Sequence, residues 1–351
     1  MSLWPTPLAS AHLALPQLAR QPPAWHETLL GYASFSASGQ TAHALAEIPA
    51  IHVHMPTLPP GSDSVCESWR SPAPLLAGRH GAVRFRHGDG LLFGCVRVDE
   101  SAFTPRQDGA TMQTPLRQAA AFAYREIFGL LDALDFPHLY RAWNYMADIN
   151  GESHGIERYR QFNSGRQDGF LALRRTLTGG VPAACALGSM GGPLNVCFLA
   201  GREAPVAIEN PRQLSAYHYP RQYGARAPTF SRANLIRLGE REVLFISGTA
   251  SIVGHQSQHP GDAAAQTRET LENLAAVVEQ ANRLARASRF SLEQLDCKIY
   301  IRRPADAATI RQTLERHLGF PVQAVLLQAD ICRQDLLVEI EASGGHAKEP
   351  A

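Results

Sequence analysis

The chain has 351 residues, 45% of them apolar, which is too long for one ordinary core and rich enough to fill two α/β domains. Lys and Arg number 33 against 32 Asp and Glu, for a net charge of +1. With no basic tract or acidic tail, a nucleic-acid-binding surface is not expected, although a few local arginines could still hold an anionic small molecule.

In chain order, the first 25 residues lack a basic start and are broken by Pro5, Pro7 and Pro16, so they do not read as a signal peptide. No uncharged apolar run approaches ~18–20 residues, and no membrane span is expected. Leu91–Val98 reads as a strand, Thr114–Leu134 as a helix and Leu139–Ile149 as a strand. Asn163–Gly169 reads as the loop that joins two halves. Ala183–Leu187 and Leu194–Leu199, separated by Gly188, Gly191 and Gly192, read as a β-hairpin. Val243–Ser247 is a strand ending at Gly248. A helix follows over about Ala263–Arg286, with Leu271, Leu274, Ala275 and Val278 on one face. Leu295–Arg302 is a strand, and Asp306–Leu318 a helix stopped by Gly319 and Pro321. Val322–Leu327 and Leu336–Ala342 close the second half.

The strand, helix, strand succession from Leu91 to Ile149 repeats from Val243 to Arg302; element order and length carry the repeat, since Trp143-Asn144-Tyr145 against Lys298-Ile299-Tyr300 is a weak match letter by letter. The expected architecture is α/β (α+β): two related units, 1–165 and 166–345, each a mixed sheet with helices packed on one face, and a loose tail, 346–351. The six cysteines, Cys66, Cys95, Cys185, Cys197, Cys297 and Cys332, form no C-x-x-C pair and several lie in apolar runs. They read as reduced core thiols of a cytoplasmic protein.

Four clusters could carry chemistry. Trp143-Asn144-Tyr145 with Glu157 to Asn163 crowds arginine, tyrosine and asparagine into a strand end and loop. Tyr217 to Arg226 repeats that mixture in a segment whose Pro and Gly argue against a helix. Arginine forks hold carboxylates and tyrosine offers an apolar face with a polar tip, so both suit a small carboxylated ring; surface ion pairing is the plainer reading. Ser247 to Ser251 ends a strand at Gly248, where backbone or ligand can approach closely. In the last cluster, Cys332-Arg333 precedes the final strand. There Leu336, Val338, Ile340 and Ala342 face one way and Leu337, Glu339 and Glu341 the other. Either both glutamates meet solvent, or one is desolvated and serves as a general acid. His52-Val53-His54 lacks a third ligand nearby and reads as strand alternation, not a metal site. Gly188 to Gly192 lacks the spacing of a phosphate-binding loop, and no G-x-S-x-G elbow occurs.

Together these residues resemble the chorismatase family, in Leu139 to Tyr145, Glu157 to Asn163, Tyr219 to Gly224, Ser247 to Ser251 and Cys332 through Glu341. The C-terminal half also resembles the small imine deaminases of the YjgF type, but Val322–Leu327 lacks the carboxylate-binding arginine that family carries, which counts against plain deaminase activity. The resemblance implies an active site mainly in the C-terminal half, no metal or organic cofactor, and Glu339 as the catalytic acid acting on chorismate. Gly248 and Cys332 match the members that form 3-hydroxybenzoate, some also 4-hydroxybenzoate; the hydrolytic members give a cyclohexadiene diol. Arg160, Arg221, Arg226 and Arg302 are the candidate anchors for the two substrate carboxylates. Tyr145, Tyr159, Tyr219 and Tyr300 are the candidates to line the ring or bond its hydroxyl. Imine or enamine hydrolysis, and non-catalytic binding of an aromatic acid, are the competing readings. A monomer is expected, with a trimer as the alternative, and no nucleic-acid or membrane partner.

Overall fold

A computed structural model describes residues 8–38, 45–59, 64–88, 90–109, 111–322 and 324–348. It contains three main sheets. The second is built from Leu76–His80, Val83–Gly88 and Leu91–Val98, then helix Pro115–Ala133, strand His138–Ala147, helix Arg158–Ala172, and strands Ala183–Ser189 and Leu194–Gly201. The third repeats this succession with Val206–Ile208, Ala233–Leu238, Arg241–Ala250, helix Ala263–Leu284, Asp296–Ile301, helix Ala307–Leu318, Ala324–Gln328 and Val338–Gly344.

The two sheets share one topology. In each, the sixth strand lies between the third and fourth, the fourth and fifth are parallel, and the sixth is antiparallel to both its neighbours. Within this register Tyr145 opposes Leu187 and Asn195, and Tyr300 opposes Leu327 and Glu339. Trp143-Asn144-Tyr145 and Lys298-Ile299-Tyr300 are therefore equivalent positions.

The first sheet, unread in the sequence, reproduces only the last four strands of that pattern, as Ala9–Leu13, Leu29–Ser36, Ala50–His54 and Val65–Arg70, with Ala347–Lys348 added on its edge. In place of the first long helix it has the five-residue helices Leu15–Ala19 and Pro23–Glu27. The segment 346–351, expected loose, is thus paired through Ala347 and Lys348; its last three residues lie outside the described set.

Two boundaries differ from expectation. Ala183–Ser189 and Leu194–Gly201 do not form a hairpin, because His138–Ala147 runs between them and pairs with both. The expected first unit, 1–165, therefore holds the first sheet and only part of the second, which runs from Leu76 to Gly201, past the expected join at 165. Asn163–Gly169 is not a loop but lies inside the Arg158–Ala172 helix. Its glycines permit close crossing on Pro115–Ala133: a Cβ at Gly165 would stand 2.0 Å from the Arg117 carbonyl oxygen, and one at Gly169 2.6 Å from the Tyr124 Cβ. Composition mimicked a turn where the chain needed a thin helix face.

One apolar cluster joins all three sheets, including Phe35 and Trp69 of the first, Trp143 and Tyr145 of the second, and Phe245 and Tyr300 of the third. Further clusters lie between each long-helix pair and its sheet. The second face of each sheet is thereby buried against the others, which explains strands that are buried along nearly their whole length. All six cysteines are free, and four of them are buried. No described helix is long and apolar enough to cross a membrane.

Candidate active site

The last strand of the third sheet, Val338–Gly344, carries Glu339 and Glu341 toward the central cluster. Both are buried, at 4% and 3% exposure. A carboxylate in that setting must be paired or give up its charge. Glu341 is paired: its Oε2 accepts from Arg141 Nη2 at 2.5 Å, its Oε1 from Trp143 Nε1 at 3.0 Å, and Lys298 Nζ stands 2.6 Å from Oε1. Lys298 also donates to Glu67 Oε2 at 2.6 Å. Burial opposes the ionisation of Glu341, but Lys298 and Arg141 outweigh it and hold the carboxyl below its ordinary range.

Glu339, two residues earlier, makes no ion pair among the described residues. Burial, and then the negative charge of Glu341, push its carboxyl up to about 8, against a weaker opposing effect of Arg141. It is therefore mostly protonated at neutral pH, a carboxylic acid rather than a carboxylate.

This acid lines a cavity of about 240 Å³. Around it stand Gly248 and Ala250 from the neighbouring strand, Tyr159 and Arg160 from the start of the Arg158–Ala172 helix, and Tyr219, Tyr223, Phe230 and Arg232 from the 215–232 connection. Cys332 and Arg333 precede the last strand and complete the wall. Gly248 is tightly constrained: a Cβ there would fall 1.9 Å from Glu339 Oε1 and 3.3 Å from Cys185 Cβ. The absent side chain makes room for the acid itself, where the sequence suggested room for a ligand. Burial, followed by Glu339, pushes the Cys332 thiol up to about 12, so it is a neutral thiol.

Two cations are built into the wall. Arg232 is buried, and its Nη2 donates to the Leu214 carbonyl at 2.7 Å and to the Tyr219 hydroxyl at 2.9 Å. Arg333 donates to the His255 carbonyl at 2.8 Å and lies over the Tyr223 ring, 4.1 Å from its centroid. Each keeps a nitrogen without a protein partner, Nε of Arg232 and Nη2 of Arg333. Arg160 sits at the rim, with its Nε 3.0 Å from Glu157 Oε2. An acid proton, two fixed guanidiniums and aromatic walls in one pocket suit an anionic ring substrate that is protonated during reaction.

Known proteins match this chain in sequence and in architecture. A chorismatase of Streptomyces rapamycinicus is 37% identical over 325 residues, covering 90% of this chain and 92% of the relative. The chain belongs to the chorismatase family. A 3-hydroxybenzoate synthase of Streptomyces hygroscopicus is 34% identical over 333 residues, covering 92% of this chain and 93% of that protein. The family model for the N-terminal part of FkbO/Hyg5-like chorismatases matches residues 67–200. A chorismatase crystal structure superposes with a TM-score of 0.82 at 31% identity, over 97% of this chain and 98% of the other. The protein is accordingly an enzyme of mixed α+β fold.

In this member of the family, Glu339, Gly248, Cys332, Tyr159, Arg160 and Tyr219 come together around the cavity just described. The other residues expected there do not line it. Tyr145 and Tyr300 are fully buried in the central cluster, their hydroxyls 3.3 Å apart. Their strand position pointed inward, and inward is the core where the three sheets meet. Arg302 is a structural clamp: it donates to the Leu336 carbonyl at 2.8 Å, Asp330 Oδ1 at 2.5 Å and Asn150 Oδ1 at 2.9 Å, beside a different depression. Arg221 is exposed on a short turn, Arg221–Tyr223. Arg226 donates to Gln167 Oε1 at 3.3 Å on the helix flank. Sequence reading passed over Arg232 and Arg333 as anchors. Arg333 sat inside a cluster already singled out, and Arg232 directly abuts the apolar Ala233–Leu238 strand, where a charged residue has to be held by something. No group of three or more potential metal ligands occurs among the described residues.

Proposed function

We propose that the enzyme cleaves chorismate to pyruvate and 3-hydroxybenzoate, with Glu339 as the acid. The observation that carries the reading is a buried carboxyl, kept protonated up to about pH 8, facing a cavity that also holds Arg232 and Arg333. The curated relatives named chorismatase and 3-hydroxybenzoate synthase support the substrate and the product class.

Glu339 transfers its proton to the methylene carbon of the enolpyruvyl ether. Positive charge develops at the ether carbon, next to the side-chain carboxylate. The bond between ring carbon and ether oxygen then breaks as the neighbouring ring hydroxyl participates, and the ether oxygen leaves as the ketone of pyruvate. Rearrangement with loss of a ring proton gives the phenol and restores the proton to Glu339, so no net water is consumed. Arg232 and Arg333 hold the two carboxylates, with Arg160 at the entrance. Tyr159, Tyr219 and Tyr223 enclose the ring. Cys332, as a neutral thiol, and Gly248 shape the side from which water would otherwise attack, and so select the phenol over the cyclohexadiene diol; 4-hydroxybenzoate is a possible second outcome of the same rearrangement.

Incubating the purified protein with chorismate and resolving the products by chromatography tests this. Pyruvate and 3-hydroxybenzoate in equal amounts are expected. Pyruvate with the diol would place the enzyme among hydrolases, and unchanged chorismate would reject the reading in favour of imine hydrolysis or simple binding.

A further inference from the structure

The equivalence of the second and third sheets gives the catalytic cavity a counterpart. Tyr300 opposes Glu339 and Tyr145 opposes Asn195, so Asn195 occupies the position of the acid. On the next strand, Glu339 opposes Ala250 and Asn195 opposes Arg97, so an arginine stands where the active site has alanine. Just as Glu339 and Ala250 line the catalytic cavity, Asn195 and Arg97 line a second one, of about 550 Å³, between the first and second sheets.

Its chemistry is one-sided. Arg84, Arg97, His52 and His54 line it, and among its described lining residues there is no Asp or Glu. His52 is fixed, with Nδ1 2.5 Å from Ser34 Oγ and its ring edge-on to Tyr32 at 5.9 Å. Arg84 is held by the Ala46 carbonyl. Leu45, Ile48 and Ile51 supply an apolar wall. Burial first, and then the Arg97 charge, push the His52 imidazole down to about 4, so at neutral pH it is an uncharged ring that can still donate one N–H.

We propose that this cavity is a second, non-catalytic site for a small ring carboxylate. Arginines and histidine N–H groups would meet the carboxylate, and the apolar wall with Tyr32 the ring. The amide of Asn195 has no acidic proton to deliver, so a molecule bound there stays intact. The inference rests on strand register and on charge, and stands whether or not the substrate of the first site is chorismate.

Calorimetric titration of the wild-type protein with 3-hydroxybenzoate tests it, read by stoichiometry rather than turnover. Two molecules per chain are expected. Arg97→Glu, a change on an exposed side chain, should abolish one of them while kcat and the thermal transition stay within about twofold and a few degrees of wild type. Arg333→Ala should remove the other and keep the Arg97-dependent one. A single equivalent that Arg97→Glu leaves unchanged overturns the proposal. Equal competition at the second site by inorganic phosphate also overturns it, since the site would then take any anion and not a ring carboxylate.

Discussion

Glu339 and Glu341 lie two residues apart on one strand, point the same way and are equally buried, yet they are held in opposite protonation states. Glu341 has Arg141, Lys298 and the Trp143 indole; Glu339 has a cavity, and the charge that shifts it most is that of Glu341 itself. Burial alone therefore does not make an acid. The number of cations within reach decides, and the ionised member of the pair helps keep the other one protonated. The ion cluster also ties the sheets together, since Glu67 belongs to the first, Arg141 to the second and Lys298 and Glu341 to the third.

Breaking the paired side of this comparison should have the largest effect. Lys298→Met leaves Glu67 and Glu341 facing each other in the core without their shared cation. Losing one partner of a buried ion pair costs about 3–5 kcal/mol. The chemical denaturation curve should move by that amount. A loss under about 1 kcal/mol would mean that the desolvation cost of Lys298 had nearly cancelled its attraction, and that the cluster contributes specificity rather than stability.

Breaking the unpaired side should leave the fold intact and remove catalysis. Glu339→Gln keeps the shape and eliminates the transferable proton, so kcat should fall ~10²-fold or more. In the wild type the acid form is the active one: kcat/KM, which reports the free enzyme, should be level well below pH 8 and approach a tenfold decline per pH unit above it, as Glu339 ionises. Stability follows the same group. Its carboxyl is raised from 4.5 in the unfolded chain to about 8, so its contribution is full below about pH 4.5 and is lost as pH rises to about 8. Glu339→Gln should flatten that decline. If it kept near-normal kcat while Glu341→Gln lost it, the roles of the two glutamates would be reversed.

How far the sequence led can be judged from the same strand. Alternation placed both glutamates on one face, and periodicity found both helices and four of the six strands of the third sheet; Val206–Ile208 and Ala233–Leu238 went unread, and their places were given to two strands of the second sheet. Alternation could not say which glutamate was paired: Arg141 and Glu67 are about 200 residues or more from Glu341 in the chain, and only the packing of three sheets joins them. The first sheet went unread because it has just four strands of the pattern and no long helix to announce it. The same gap misdirected the tyrosines. With only two sheets in view, the inward face of His138–Ala147 looked like a pocket wall, whereas a third sheet makes it core. Arg302 misled for a different reason, since a guanidinium that satisfies three backbone carbonyls has the same sequence signature as one awaiting a ligand.

The space beside the acid gives a smaller and more selective test. A methyl at Gly248 must displace the Glu339 carboxyl, because 1.9 Å is far inside contact distance. Gly248→Ala alone should therefore lower kcat, and with Cys332→Val it should also shift the product from 3-hydroxybenzoate toward the diol. A change of ~1.4 kcal/mol between the competing transition states alters the ratio tenfold. Chromatography of the double variant reads both effects. An unchanged product ratio at reduced turnover would confine Gly248 to positioning the acid and Cys332 to packing.

The smallest effect is expected where sequence and structure differ over the arginines. Arg232 and Arg333 line the cavity and are braced by carbonyls and tyrosine rings, so each is preorganised to meet a carboxylate. Arg221 is exposed, and Arg226, with a side chain 40% exposed, has its contacts to Gln167 and Asp168 instead of the cavity. Exposed ion pairs of that kind contribute about 0–1 kcal/mol. Arg221→Ala and Arg226→Ala should each change KM by less than about fivefold and leave kcat unaltered. Arg232→Ala and Arg333→Ala should raise KM by about tenfold or more, since a charge-assisted bond to a carboxylate is worth about 1.5–3 kcal/mol. Steady-state kinetics on the four variants separates the pairs. A large KM effect from Arg226→Ala would mean that the 215–232 connection closes over the substrate and carries that side chain into the site.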